Sequence, residues 1–257
     1  MIKAAFFDVD GTLLSHRTRS VSQSTRRSIA RLRKAGILCI VATGRHILQM
    51  DKLPMDGIEF DGYVTVNGQL LLDGQRNVIY GAALEGEGKA CAVRLFENRN
   101  IPALLMEENR IYLNFVNEDA AAVQKSISSP IPDVGEYTGG EIYQICPYFF
   151  GPMPPDVAAC EAHCVVTRWG GNGGVDIIAR GGGKVTGIQI FLKETGITRE
   201  EIIAFGDGEN DMDMLRYAGI GVAMGNASET VKSAADYVTD HIDDDGIEKA
   251  LKHFNLI

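Results

Sequence analysis

The residues that could do chemistry stand at the ends of short apolar runs. Ala4-Ala5-Phe6-Phe7 leads into Asp8-Val9-Asp10-Gly11-Thr12, and Ile37 to Val41 leads into Ala42-Thr43-Gly44-Arg45. Ile202 to Phe205 leads into Gly206-Asp207-Gly208-Glu209-Asn210-Asp211. Four carboxylates (Asp8, Asp10, Asp207 and Asp211) therefore come from two distant segments. Converging carboxylates repel one another unless a cation holds them. Hard oxygen donors that leave room for water and phosphate suit Mg2+. Singly, each motif has a plain structural reading. Asp-x-Asp-Gly is often a solvated turn. Thr43-Gly44 reads as a strand-to-helix turn, Lys184 as a surface lysine, and Asp211 as the cap of the helix it begins. Their order, each at a strand end or at a re-entry into the core, argues for one site.

Other signatures are missing. There is no G-x-S-x-G and no H-E-x-x-H. Gly183-Lys184 fails the P-loop pattern, because Ile178 stands where the first glycine belongs and Val185 follows the lysine. Gly206, Gly208, Gly219 and Gly221 do not complete G-x-G-x-x-G.

The elements that must position these groups alternate. Ala4–Phe7, Ile37–Val41 and Tyr63–Val66 read as strands, with a helix over roughly 25–35 ended by Gly36. Leu70 to Tyr80 reads as a hairpin around Asp73-Gly74. The last third repeats the alternation, with strands at 202–205, 220–223 and 237–239 and helices between and after them. Such alternation predicts a parallel sheet covered on both faces, with ligands at the carboxyl ends of its strands. The middle instead pairs strands (103–106 with 111–115, 165–169 with 175–179) around helices, as an antiparallel α+β unit does. The expected fold is α/β: a Rossmann-like parallel-sheet core over 1–81 and 184–257, with an α+β domain inserted at 82–183. Gly181-Gly182-Gly183 marks the return to the core.

Composition narrows the class. The 257 residues carry 25 basic and 34 acidic side chains, a net charge of -9, with 45% hydrophobic residues. These are values of an ordinary globular chain and exclude a disordered one. The longest apolar run, Ile37 to Ala42, is far short of the ~18 residues of a membrane span. No secretory signal is visible, and five scattered cysteines predict reduced, buried thiols in a cytoplasmic protein. The acidic balance argues against nucleic acid. The seven basic residues from Arg17 to Lys34 read as a solvated helix face, with no aromatic residue nearby for base stacking.

Together, Phe7-Asp8-Val9-Asp10-Gly11-Thr12, Ala42-Thr43-Gly44-Arg45, Lys184 and Gly206-Asp207-Gly208-Glu209-Asn210-Asp211 resemble the four motifs of the haloacid dehalogenase superfamily. The place of the insert resembles the Cof-type subfamily with a type IIB cap, as do Val222 to Ala227 and Asp243 to Ile247. The resemblance implies an aspartyl-phosphate on Asp8, with Asp10 protonating the leaving alcohol and later activating water. It implies Mg2+ on the Asp8 and Asp207 side chains and the Asp10 carbonyl. Thr43, Gly44, Lys184 and Asn210 would contact the phosphoryl oxygens, and Asp211 would orient Lys184 or water. Asn67 reads as a hairpin turn, and the resemblance also implies that it faces the substrate; Arg45 reads as a helix-start surface residue or a second phosphate contact. The function implied is hydrolysis of small phosphate esters, sugar phosphates foremost, by a monomer. A phosphomutase and a non-catalytic metabolite-binding protein are the alternatives.

Overall fold

The computed structural model of the chain describes residues 1–169 and 173–257. The first stretch holds β1 (Ala4–Phe7), α1 (Gln23–Lys34), β2 (Leu38–Ala42), α2 (Ile47–Met50), β3 (Gly62–Thr65), β4 (Leu70–Asp73) and β5 (Val78–Gly81). The middle adds α3 (Gly86–Glu97), β6 (Ala103–Met106), β7 (Ile111–Leu113), α4 (Glu118–Ser126), β8 (Gln144–Pro147), α5 (Pro155–Ala158), β9 (Cys164–Arg168) and β10 (Val175–Ala179). The last stretch holds α6 (Lys184–Thr195), β11 (Ile202–Gly206), α7 (Met212–Tyr217), β12 (Ile220–Ala223), α8 (Glu229–Lys232), β13 (Tyr237–Val238) and α9 (Gly246–His253).

Two sheets result. The larger has the order β13-β12-β11-β1-β2-β3-β4-β5. It is parallel from β13 to β3 and antiparallel through the β3-β4-β5 hairpins. Its central strands β11, β1 and β2 are apolar because both their faces are covered, whereas the edge strand β5 is largely exposed. Alternate residues feed two cores. Ala5, Phe7, Cys39, Val41, Ile203 and Phe205 pack on the α1 and α9 side, while Ala4, Phe6, Ile40, Ala42, Ile202 and Ala204 pack on the α6 and α7 side. The smaller sheet is antiparallel, in the order β7-β6-β8-β10-β9. One of its faces is sealed by Cys91, Leu95 and Phe96 of α3 and Val157 of α5. The other presents Leu104, Met106, Cys146 and Tyr148 to the larger unit, joining its core.

The structure departs from the sequence expectations in several places. The middle unit has a further strand, β8 from Gln144, and the helix between the strands at 220–223 and 237–239 is short, α8. Cys91 and Cys160 form a disulfide, which overturns the expectation of five reduced thiols; Cys39, Cys146 and Cys164 are buried thiols. The pairing depends on α3 packing beside the turn after α5, a contact that spacing along the chain does not encode. Much of the basic stretch is engaged: Arg17 with Asp243, Arg26 with the carbonyls of Pro54 and Asp56, and Arg33 with Asp61. Among the described residues no helix is long and apolar enough to cross a membrane.

Candidate active site

Strands β11, β1 and β2 are neighbours in the parallel sheet, so their carboxyl ends deliver Asp207, Asp8 and Thr43 side by side. Asp8 is 6% exposed, Lys184 2% and Asp211 0%. Lys184 Nζ donates to Asp8 Oδ1 and to Asp211 Oδ1, each at 2.6 Å. The lysine read singly as a surface residue is therefore the buried cation of the site. It begins α6, and Gly187 one turn on lets that helix close onto the sheet: a Cβ there would lie 2.5 Å from Val64 Cγ1. The other oxygen of Asp211, Oδ2, accepts the backbone N–H groups of Asp207 and Gly208 at 3.0 and 2.9 Å. Asp211 thus ties the loop after β11 to Lys184.

Asp207 is held from two sides. Thr12 Oγ1 donates to its Oδ1 at 3.0 Å, and Asn226 Nδ2 donates to its Oδ2 at 3.0 Å. Gly11 runs directly beneath it with φ +84°, where a Cβ would lie 2.1 Å from Asp207 Oδ2. Only glycine meets both demands, left-handed backbone and no side chain. Asn226 also donates to the Gly11 carbonyl at 2.8 Å and accepts the Ile242 N–H at 3.0 Å.

Thr43 is buried, and its Oγ1 accepts the Arg45 N–H at 3.1 Å. Asn210 Nδ2 donates to Asn67 Oδ1 at 3.2 Å. Asn67 sits against Gly44, where a Cβ would meet its amide at 3.1 Å. Asn67 does occupy a turn, between β3 and β4, yet its side chain faces the site and is buried.

Asp10 is oriented differently from its neighbours. Arg45 grips both its oxygens, Nε to Oδ2 at 2.6 Å and Nη2 to Oδ1 at 2.7 Å. Arg45 also donates to Ser129 Oγ and the Ile127 carbonyl, both at 2.6 Å, in the segment after α4. The reading of Arg45 as a surface residue is corrected: the guanidinium is buried where the two sheet units meet. Burial opposes its charge, but the Asp10 hydrogen bonds outweigh that and raise its pKa.

Asp8, Asp207 and Asp211 each offer an oxygen within 4.8 Å of the others. Burial, reinforced by Asp211, drives the Asp8 carboxyl well above the usual carboxylate range and Asp207 up to about 7. Burial opposes charge on Lys184 too, yet Asp211 and Asp8 together raise its pKa. One ammonium among three carboxylates, two buried and Asp207 half-buried, leaves excess negative charge, which a divalent cation relieves. Each Asp207 oxygen accepts one hydrogen bond and keeps a lone pair for such an ion. The donor set, all hard oxygen, fits Mg2+.

Site residues to which the sequence alone gives no individual role are Thr12 and Asn226. Asn67 and Arg45 lie directly after strands, a signal open to reading. Thr12 braces Asp207, and Asn226 braces both Asp207 and the Gly11 carbonyl; both lie in segments that carry the resemblance, but nothing local assigns them these contacts.

The chain matches the haloacid dehalogenase-like hydrolase family over residues 5–251 and belongs to that family. It is an enzyme of the phosphatase class. It is similar to BT1666 of Bacteroides thetaiotaomicron, a phosphatase of the same superfamily. The two share 34% identity and a TM-score of 0.88, covering 100% of this chain and 96% of that one. It is also similar to the subclass IIB sugar phosphatase BT4131, with 36% identity and a TM-score of 0.87 over 99% of this chain and 100% of that one. The 5-amino-6-(5-phospho-D-ribitylamino)uracil phosphatase YitU of Bacillus subtilis is 29% identical over 262 residues, covering 96% of this chain and 95% of its own.

Proposed function

We propose that the chain is a Mg2+-dependent phosphatase of small phosphorylated metabolites, sugar phosphates foremost, acting through an aspartyl-phosphate on Asp8. The observation that carries this reading is the buried Asp8–Lys184–Asp211 arrangement beside Asp207. Relatives named as a sugar phosphatase and a phosphoribitylaminouracil phosphatase support the substrate class.

Lys184 holds one oxygen of Asp8, leaving Oδ2 to attack phosphorus as the bond to the leaving oxygen breaks. Asp10 gives its proton to that oxygen, and the alcohol departs. In the second half Asp10 takes a proton from water as the water oxygen attacks phosphorus. The bond to Asp8 then breaks and its carboxylate is restored. Arg45 must release Asp10 for these transfers. Lys184, Thr43, the Gly44 N–H and Asn210 bind the phosphoryl oxygens, which is positioned charge of the kind phosphoryl transfer needs. Asp8, Asp207 and the Asp10 carbonyl would hold Mg2+, which supplies charge neutralisation at the phosphoryl group.

The division we propose is a catalytic core over 1–81 and 184–257 and a cap over 82–183 that excludes water and selects the leaving group. A cavity of about 300 Å³ at their seam is lined by Leu14, Arg19, Leu53, Gln124 and Ser129 and by none of the residues proposed to act on the phosphoryl group. We propose a monomer as the acting unit. The test is phosphate release from sugar phosphates and nucleotides with Mg2+ or EDTA, for the native chain and Asp8→Asn. Release should need Mg2+ and vanish in the variant. Release that survives Asp8→Asn overturns the mechanism, and phosphate that moves without being released points to a mutase.

A further inference from the structure

The cap turns a polar cluster toward the catalytic loops that the mechanism does not use. On β8 and β10 the period of two splits the side chains between faces. Ile145, Val175 and Ile177 enter the core of the cap, whereas Gln144, Cys146 and Asp176 point the other way. Asp176 is 7% exposed, and among the described residues it has no salt-bridge partner. Neutral donors hold it instead. Asn67 Nδ2 reaches its Oδ2 at 2.8 Å, and Gln144 Nε2 and Cys146 Sγ reach its Oδ1 at 3.1 and 3.2 Å. Asn67 Nδ2 also donates to Gln144 Oε1 at 3.0 Å, and Gln144 Nε2 lies 3.4 Å from the Gly44 carbonyl.

The core's contribution is bought with backbone strain. Val66, Asn67 and Gly68 have φ of 54°, 50° and 83°, three successive residues in the left-handed region. A β-branched residue there is an outlier, and such strain concentrates at working sites. Here it aims the Asn67 amide at Asn210 on one side and at Asp176 and Gln144 on the other. For mere cohesion between two units, a buried carboxylate without a cation is a poor choice, since apolar side chains would hold them at no desolvation cost. Burial pushes the Asp176 carboxyl above its ordinary range, with the Asn67 and Cys146 donors opposing.

We infer that Asn67, Gln144 and Asp176 are specificity-determining residues that read hydroxyl groups on the leaving alcohol, selecting polyhydroxylated phosphate esters. This rests on the phosphatase reading and deepens it. A hydroxyl both donates and accepts. It can enter between the Asp176 carboxylate, which accepts, and the Asn67 or Gln144 amide, which donates, leaving every buried group paired. An ester without hydroxyls parts the same groups and leaves them unpaired, and a site built for hydroxyls rejects such an analogue strongly.

The test is the ratio of kcat/KM for a hexose 6-phosphate to kcat/KM for p-nitrophenyl phosphate, in the native enzyme, Asp176→Asn and Gln144→Met. Circular dichroism and urea midpoints verify folding, and either variant suffices if the other fails to fold. The ratio should fall by about 10- to 100-fold in Asp176→Asn, and in the same direction in Gln144→Met. A ratio unchanged in the folded variants, even with both rates lowered together, assigns the cluster to cohesion alone and overturns the inference. Native turnover of p-nitrophenyl phosphate but of no hydroxylated ester overturns it too, while leaving the phosphatase reading standing. Native turnover of neither ester overturns the phosphatase reading itself.

Discussion

Acid should destabilise this protein through His46, and the size of the effect follows from its surroundings. His46 is 0% exposed and caps α2: its Nδ1 accepts the Leu48 N–H at 3.1 Å. The proton therefore sits on Nε2, which lies 3.1 Å from the carbonyl of Glu108 in the middle segment. A second proton, on Nδ1, would face an N–H donor with no water to receive it. Burial lowers the pKa to about 4, with the Glu108 carbonyl opposing. In the unfolded chain the ordinary value is about 6.5. The sign follows directly: between those values the unfolded state binds the extra proton and the folded state does not, so stability falls as pH drops. Above pH ~6.5 both states are neutral at this residue, and it contributes no pH dependence. At pH 4.5 the difference amounts to about 2 to 3 kcal/mol. Urea unfolding of the native chain and of His46→Gln, at pH 7.5 and 4.5, isolates it. Glutamine does not titrate, and the carboxylates common to both proteins cancel. The native chain should lose about 2 to 3 kcal/mol more than the variant across this interval. Equal losses, within about 0.5 kcal/mol, would refute the burial argument for this histidine.

Lys184→Met should lose about 3 to 5 kcal/mol in urea unfolding with EDTA, because two buried carboxylates lose their cation; a loss below about 1 kcal/mol would show that they are not charged together. Gly11→Ala should cost about 1 to 2 kcal/mol from its left-handed backbone. It should also lower kcat about 100-fold by displacing Asp207, and steady-state kinetics at native-like rates would contradict the close contact. Replacing both Cys91 and Cys160 by serine should lower stability by about 4 kcal/mol, since the bridge closes a loop across 69 residues. Guanidinium unfolding measures the loss, and two free thiols at these positions in the native protein would remove the basis for it.

The placement of Asp8, Thr43 and Asp207 was legible because it follows from local rules. Short apolar runs alternating with helical ones become parallel strands, and in a parallel sheet every strand points its carboxyl end the same way. Whatever follows three neighbouring strands must then gather at one edge. Gly11 belongs to the same category, since an Asp-x-Asp-Gly turn calls for a residue free of Cβ. The antiparallel character of the middle segment could also be read from its paired apolar stretches.

The remaining features were decided by how distant segments meet. Lys184 looks like any helix-start lysine until α6 packs beside β3 and places its ammonium between two carboxylates, one of them 176 residues away. Arg45 follows a strand like a surface residue, and only the arrival of the segment after α4 buries it on Asp10. The Cys91–Cys160 bridge and the Asn67–Asp176 contact likewise need two units to dock before they exist. Periodicities of 2 and 3.6 are carried by each stretch of chain alone, so the sequence by itself determined the elements, their order and the catalytic edge. Side-chain pairing across a seam depends on where whole units come to rest. The charge balance of the site and the polar face over it were therefore settled only by the tertiary structure.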